Sequence, residues 1–251
     1  MPEILLSTER LTKRFGGVIA NDAIDLEVRR GELHAIIGPN GAGKTTLIAQ
    51  LAGQLRPDKG IIRFAGEDIT RVPAHVRARN GFGRSFQITN IVRELSALDN
   101  AALAVQALNG HSFRFWRSAR ADRALREPAE RILHKIGLEQ RSHIHAGELS
   151  HGEKRVLDIG MALATRPRVL LLDEPLAGMG AEDSPRVISL LDALKVETTI
   201  LLIEHDMDAV FSLAAVVSVL VSGRVIATGA PADIRKDPEV QRAYLGDEDE
   251  A

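Results

Sequence analysis

Three short apolar runs in this 251-residue chain end in residues that can do chemistry. LHAII leads into Gly38, Pro39, Asn40, Gly41, Ala42, Gly43, Lys44, Thr45 and Thr46, VLLL into Asp173, Glu174 and Pro175, and TTILLI into Glu204, His205 and Asp206. Residues 38–45 fit G-x-x-x-x-G-K-[ST], in which glycines let successive backbone N–H groups turn inward around phosphate oxygens. The helix that follows adds its positive N-terminal end to that cradle. In such a loop Lys44 reaches the β- and γ-phosphates and the Thr45 hydroxyl binds Mg²⁺. Asp173 is the natural partner of the same ion, and Glu174 can activate a water for attack on the γ-phosphorus. His205, at the third strand end, can hydrogen-bond the γ-phosphate or that water. Gln87, in RSFQ, follows a short apolar segment and can sense the ion or the water.

A second cluster lies far downstream, in GELSHGEKRVLDIGMAL from residue 147. Ser150, His151 and Glu153 suggest a hydrolase triad. A Gly-flanked serine at a helix start suggests instead a second anion site without its own lysine. His143 and His145 with Glu148 resemble half a zinc site, but no fourth ligand stands at metal spacing and the pattern is rejected. Phe113, Phe115 and Trp116 gather a third of the nine aromatics in one stretch, either a small core pinning a loop or a docking surface.

These residues need elements to carry them. Short Val/Ile/Leu runs bounded by turn signals predict buried parallel strands, whose carboxyl ends are where open α/β sheets bind ligands. AIDLEV and GIIRFAGEDI alternate around glycines and predict an antiparallel sheet beside the parallel core. From about 91 to 164 the composition turns helical. VVSVLVSG and RVIATG share the Ser222-Gly223 turn and predict a hairpin. Residues 1–246 are expected to form one domain and 247–251 an acidic frayed tail.

Composition narrows the function. A formal net charge of −2 provides no basic field for nucleic acid, and with no cysteine there is neither a disulfide framework nor a thiolate metal site. The N-terminus carries charges where a secretory signal needs an apolar core. The longest apolar runs are far short of a membrane span, so other chains would have to supply one.

Taken together, the residues resemble the ATP-binding subunits of ABC transporters over nearly the whole chain. Residues 38–45 resemble Walker A, 169–174 Walker B with its catalytic glutamate, Gln87 the Q-loop glutamine and His205 the switch histidine. Residues 149–153, LSHGE, resemble the family signature, which more commonly has glycine at His151 and glutamine at Glu153. Phe15 lies where the family stacks an aromatic ring on adenine. After Walker B the family often has Ser-Ala-Leu-Asp, whereas residues 176–180 are LAGMG and lack that aspartate. EPLAGMG, LLIEHDM and RAYLG are similar to the branched-chain amino-acid, amide and urea importer ATPases.

The resemblance implies an α/β P-loop NTPase fold of the ABC ATPase type, with a parallel core sheet, an N-terminal antiparallel β subdomain and a helical subdomain. It implies ATP hydrolysis with Mg²⁺ and transmembrane permease subunits as partners. It implies a second ATPase chain, copy or paralogue, in a head-to-tail dimer, and indirectly a solute-binding protein. The location implied is peripheral, at the cytoplasmic face of the membrane. Ser150 and Gly152 then become a clamp for γ-phosphate held by the other chain, and the triad falls away. The alternatives are a soluble non-transport ABC ATPase, which expects coiled-coil arms, tandem modules or a basic surface, and a regulatory nucleotide-binding module, which intact Glu174 and His205 argue against.

Overall fold

Alternation of apolar and polar residues builds the N-terminal sheet. The computed structural model describes residues 3–85, 91–109, 122–180 and 182–245. Strands β1 (Ile4–Phe15) and β2 (Val18–Arg29) form a hairpin. After β3 (Leu33–Ile37) and helix α1 (Lys44–Leu51), β4 (Lys59–Phe64) and β5 (Glu67–Asp68) complete an antiparallel sheet of order β2-β1-β4-β5. The expected antiparallel segments at 23–28 and 60–69 lie in it. Strand β1 occupies a stretch whose charges mask its pattern, since Leu5, Leu6 and Leu11 are buried among exposed Glu9 and Arg10.

The second sheet follows from runs buried on both faces. Helix α2 (Ala74–Arg79) leads into β6 (Phe82–Arg84), and three helices follow: α3 (Ala97–Asn109), α4 (Arg123–Lys135) and α5 (His151–Ala164). Then come β7 (Val169–Asp173), α6 (Ser184–Leu194), β8 (Thr199–Ile203), α7 (Met207–Leu213), β9 (Val216–Val221), β10 (Arg224–Gly229), α8 (Pro231–Ile234) and α9 (Pro238–Leu245). The sheet order is β10-β9-β3-β8-β7-β6, parallel except for the β9–β10 hairpin. Leu170, Leu172, Ile200 and Leu202 face one core, beneath α3 to α7. Val169, Leu171, Leu201 and Ile203 face another, shared with α1 and the antiparallel sheet. Strands covered on both sides lose the polar alternation of a half-exposed sheet. Gln87 and the aromatic cluster at 113–116 lie outside the described residues.

The far end of α1 is fixed by one buried cation. Arg77 is 1% exposed. Its Nη1 donates to Gln50 O and Leu51 O at 2.9 and 2.6 Å, its Nη2 to Ile69 O and Thr70 O at 2.6 and 3.2 Å, and its Nε to Val72 O at 2.8 Å. Carbonyls in the last turn of a helix lack intrahelical partners and carry partial negative charge, so a guanidinium is well placed there. Burial pushes Arg77 down to about 10, which leaves it charged at neutral pH. Arg77→Met should therefore cost at least about 2 kcal/mol, because it strands several buried carbonyls. A urea midpoint unchanged from wild type would refute this.

Candidate functional site

The loop at 38–45 can hold its shape only with glycine at two positions. Gly38 has φ 152° and Gly43, the residue before α1, has φ 101°. A Cβ on Gly38 would lie 1.9 Å from Leu220 O in β9, and one on Gly43 would lie 2.1 Å from Ala20 O in β2. The loop carbonyls turn toward the protein. Ala42 O accepts from Gly223 N at 2.9 Å, and Gly43 O accepts from Asn21 Nδ2 at 3.1 Å. Lys44 Nζ donates to Gly38 O and Pro39 O at 2.5 and 2.9 Å. The first-turn N–H groups of α1, from Lys44, Thr45 and Thr46, have no acceptor within the helix, and so are open to an anion with the helix dipole behind them. Asn40, Gly41 and Thr45 are exposed on this rim.

The order β3-β8-β7 sets the other chemistry beside that loop. Ile203 is in register with both Ile36 and Asp173, so the three strands end side by side. Asp173 is 2% exposed and its Oδ2 stands 3.7 Å from Arg84 Nη2. Burial pushes the Asp173 carboxyl up, and Arg84 opposes that shift. Burial lowers Lys44, opposed by Glu174 and then Asp173, so this ammonium feels both carboxylates. Glu174 is half-buried with φ 48°, and its N–H donates to Ile203 O at 2.9 Å. A left-handed non-glycine residue costs roughly 1–2 kcal/mol, so its neighbours must enforce it. The His205 side chain is 63% exposed beyond β8.

Phe15 and Ser150 stand on other elements. Phe15 ends β1 with half its surface exposed, and Lys13 Nζ lies 5.6 Å from the ring centroid. Ser150 caps α5: its hydroxyl accepts from Glu153 N at 3.1 Å, while Glu153 Oε2 accepts from Ser150 N at 2.9 Å. A carboxylate at this third helical position closes the capping box as an amide does, which accounts for glutamate in the variant signature. Gly152 is buried against Asp183, whose carboxylate would lie 2.4–2.7 Å from an added Cβ. No hydrogen bond or ion pair joins Ser150 or Gly152 to residues 38–46 among the described residues. The structure thus sets Lys44, Thr45, Asp173, Glu174 and His205 just beyond the carboxyl ends of three adjacent strands and keeps Ser150 on a separate helix. His145, from the rejected zinc pattern, donates from Nδ1 to Glu94 O at 2.8 Å.

Two residues to which the sequence assigned no role, Glu204 and Arg155, bind these strand ends together. Glu204 is fully buried and accepts from Leu176 N at 2.7 Å, His205 N at 3.0 Å and Asp206 N at 3.4 Å. One carboxylate therefore fixes the loops after both β7 and β8. Burial pushes it up, and those three N–H groups oppose the shift. Arg155, buried on α5, donates to the carbonyls of Asp173, Glu174 and Pro175. A charged residue on the apolar face of a helix was the available signal for Arg155, as was a carboxylate closing an apolar run for Glu204.

A family model described as ABC transporter matches residues 21–177, which contain the loop, the capped helix and both carboxylates. The chain belongs to the ABC transporter family. A second model, described as branched-chain amino acid ATP-binding cassette transporter, matches residues 224–250 of the cassette. The cassette is 37% identical over 254 residues to the high-affinity branched-chain amino acid transport ATP-binding protein BraF of Pseudomonas aeruginosa, covering 98% of this chain and 100% of that one. It is 36% identical over 259 residues to the corresponding LivG protein of Escherichia coli, again with 98% and 100% covered. A solved ATP-binding cassette of an ABC transporter in its ADP conformation superposes with TM-score 0.86 at 31% identity, covering 97% of this chain and 99% of that one.

Glu204→Gln should destabilise the cassette by about 1–3 kcal/mol, because an amide NH₂ would face backbone N–H donors in a buried site. Turnover should fall with it, since the same bonds place His205. An unchanged denaturation midpoint would contradict this assignment.

Proposed function

We propose that this cassette is the ATP-binding and ATP-hydrolysing subunit of an import system for branched-chain or related amino acids. The observation that carries the reading is the shared strand edge, where Lys44, Asp173, Glu174 and His205 meet the phosphate loop. The names of the BraF and LivG relatives support the amino-acid class. The chain would act as one domain over 1–246, with a helical subdomain about 91–164 and an acidic tail at 247–251.

In this reading ATP lies with its adenine on Phe15 and its phosphates in the backbone cradle of residues 38–46. The Lys44 ammonium exchanges the Gly38 and Pro39 carbonyls for β- and γ-phosphate oxygens. Thr45 and Asp173 offer a hydroxyl and a carboxylate, hard oxygen donors that fit Mg²⁺, and Gln87 would complete the set. When bound, the ion neutralises phosphate charge. Glu174 takes a proton from the attacking water, and His205 donates a hydrogen bond to the γ-phosphate.

Ser150 and Gly152 would act on nucleotide held by a second cassette, copy or paralogue, in a head-to-tail dimer. Its closure would drive separate transmembrane permease subunits, with a solute-binding protein delivering the substrate. Among the described residues no helix is long and apolar enough to cross a membrane. The cassette would sit at the cytoplasmic face, bound to its permease and not to nucleic acid.

Lys44→Ala should lower Mg-dependent ATP hydrolysis by about 10²–10³-fold, and turnover near wild type would sink the phosphate-loop assignment. Glu174→Gln should bind ATP normally and lose roughly 10²–10⁴ in rate, as the amide keeps the shape without the base. Loss of nucleotide affinity instead would make Glu174 a binding residue. In the Glu174→Gln background, size-exclusion chromatography should show a dimer in ATP and a monomer in ADP. Adding Ser150→Arg should abolish that dimer while the monomer still binds ATP. If the cassette pairs with a paralogue, that partner belongs in the assay, and association indifferent to Ser150→Arg would disprove action in trans.

A further inference from the structure

Three consecutive peptide carbonyls converge on one side chain directly behind the proposed base. Arg155 Nη2 donates to Asp173 O at 2.8 Å and Glu174 O at 2.6 Å, and its Nε donates to Pro175 O at 3.2 Å. Successive carbonyls of an extended strand point to opposite sides. The turn at Glu174, with φ 48°, breaks that alternation and lets them face one cation. Arg155 is 4% exposed, so water competes little for these bonds. Asp158, one turn further along α5 and equally buried, offsets part of the burial cost, as do Glu204, Asp173 and Glu174.

We infer that Arg155 is a positioning residue for hydrolysis: it holds the Glu174 peptide in the left-handed turn that aims the carboxylate at the attacking water. Arg155 does not touch nucleotide in this arrangement; it acts through the backbone of Glu174. Its helix begins at Ser150, so the signature helix forms part of the hydrolytic site of its own chain as well as the proposed clamp on the partner's nucleotide. The two roles sit on opposite ends of a helix segment stiffened by the capping box at Ser150 and Glu153. The guanidinium matters for its fork of donors, since a lysine ammonium at this distance can reach one or two of the three carbonyls.

The inference rests on Glu174 being the catalytic base, and the test separates the two. Arg155→Gln, Arg155→Lys and Glu174→Gln are compared with wild type in the full chain, paired with whichever second cassette turnover requires. Steady-state ATPase, affinity for a fluorescent ATP analogue with Mg²⁺, and thermal melting are measured for each. Arg155→Gln should lower kcat about 10–100-fold, the scale of an ångström-sized misplacement, with nucleotide affinity within about twofold of wild type. Arg155→Lys should recover part of kcat at the same affinity. Wild-type kcat in both Arg155 variants overturns the inference. So does a parallel loss of kcat, nucleotide affinity and melting temperature in both, which marks Arg155 as a purely structural staple. Wild-type turnover in Glu174→Gln removes the base itself, and the positioning role with it.

Discussion

The close approach of the phosphate loop to two strands is the constraint on which the rest of the cassette depends. Gly38 lies on the backbone of β9 and Gly43 on the backbone of β2, each where a single methyl group would collide with a carbonyl oxygen. Those strands belong to different sheets. Gly223 N donates to Ala42 O, and Asp22 N donates to Gly223 O, so the hairpin turn after β9 is clamped between loop and antiparallel sheet. Asn21 closes the junction by donating to Gly43 O while accepting from Gln50 Nε2 at 2.6 Å on α1. The loop is thus the seam between the sheets. Spending its carbonyls on that seam is what leaves its N–H groups to an anion.

Buried charge follows the same logic of backbone satisfaction. Arg77, Arg155 and Glu204 each sit below 5% exposure, and each is saturated mainly by main-chain groups. A buried ion without partners would cost several kcal/mol, and these avoid that cost by turning otherwise orphaned carbonyls and N–H groups into charge-assisted bonds. Their common effect is to fix irregular backbone where the sheet ends. Arg77 sets the far end of α1, Arg155 the turn at Glu174, and Glu204 the loops beginning at Leu176 and His205. Of the groups proposed to meet ATP, Phe15, Thr45, Ser150 and His205 are exposed, whereas Lys44, Asp173 and Gly152 are buried.

What could be seen in the sequence and what could not divides along these lines. The strand ends were legible because LHAII, VLLLD and TILLI are buried at every position and so lack polar alternation. Residues 38–45 were legible because the conformation demands glycine at fixed spacing. The β9–β10 hairpin announced itself through Ser222-Gly223, both with positive φ. Strand β1 was hidden by Glu9, Arg10, Lys13 and Arg14, which point outward along an otherwise apolar face. The roles of Arg155 and Glu204 were hidden for a different reason: the carbonyls that Arg155 meets and the Leu176 N–H that Glu204 accepts lie 18–28 residues away, and main-chain partners leave no trace in side-chain identity. The close packing of Gly152 against Asp183 is invisible for the same reason of distance along the chain.

The variant signature shows how a substitution near an anion site can be absorbed. Glutamate at 153 brings a negative charge to the helix end where the proposed clamp would receive a phosphate, and an uncompensated carboxylate there would repel it. Two neighbours hold that charge. Ser150 N donates to Oε2 at 2.9 Å, and Arg141 Nε stands 3.2 Å from Oε1. The reciprocal bond, Glu153 N to the Ser150 hydroxyl, uses one acceptor lone pair of that oxygen and leaves its proton available to donate. Capping and clamping are therefore compatible in one serine, because the cap uses a lone pair of the oxygen and leaves the hydroxyl proton free to donate. Arg141, half-exposed at the edge of this cluster, carries the compensation that a glutamine would not require.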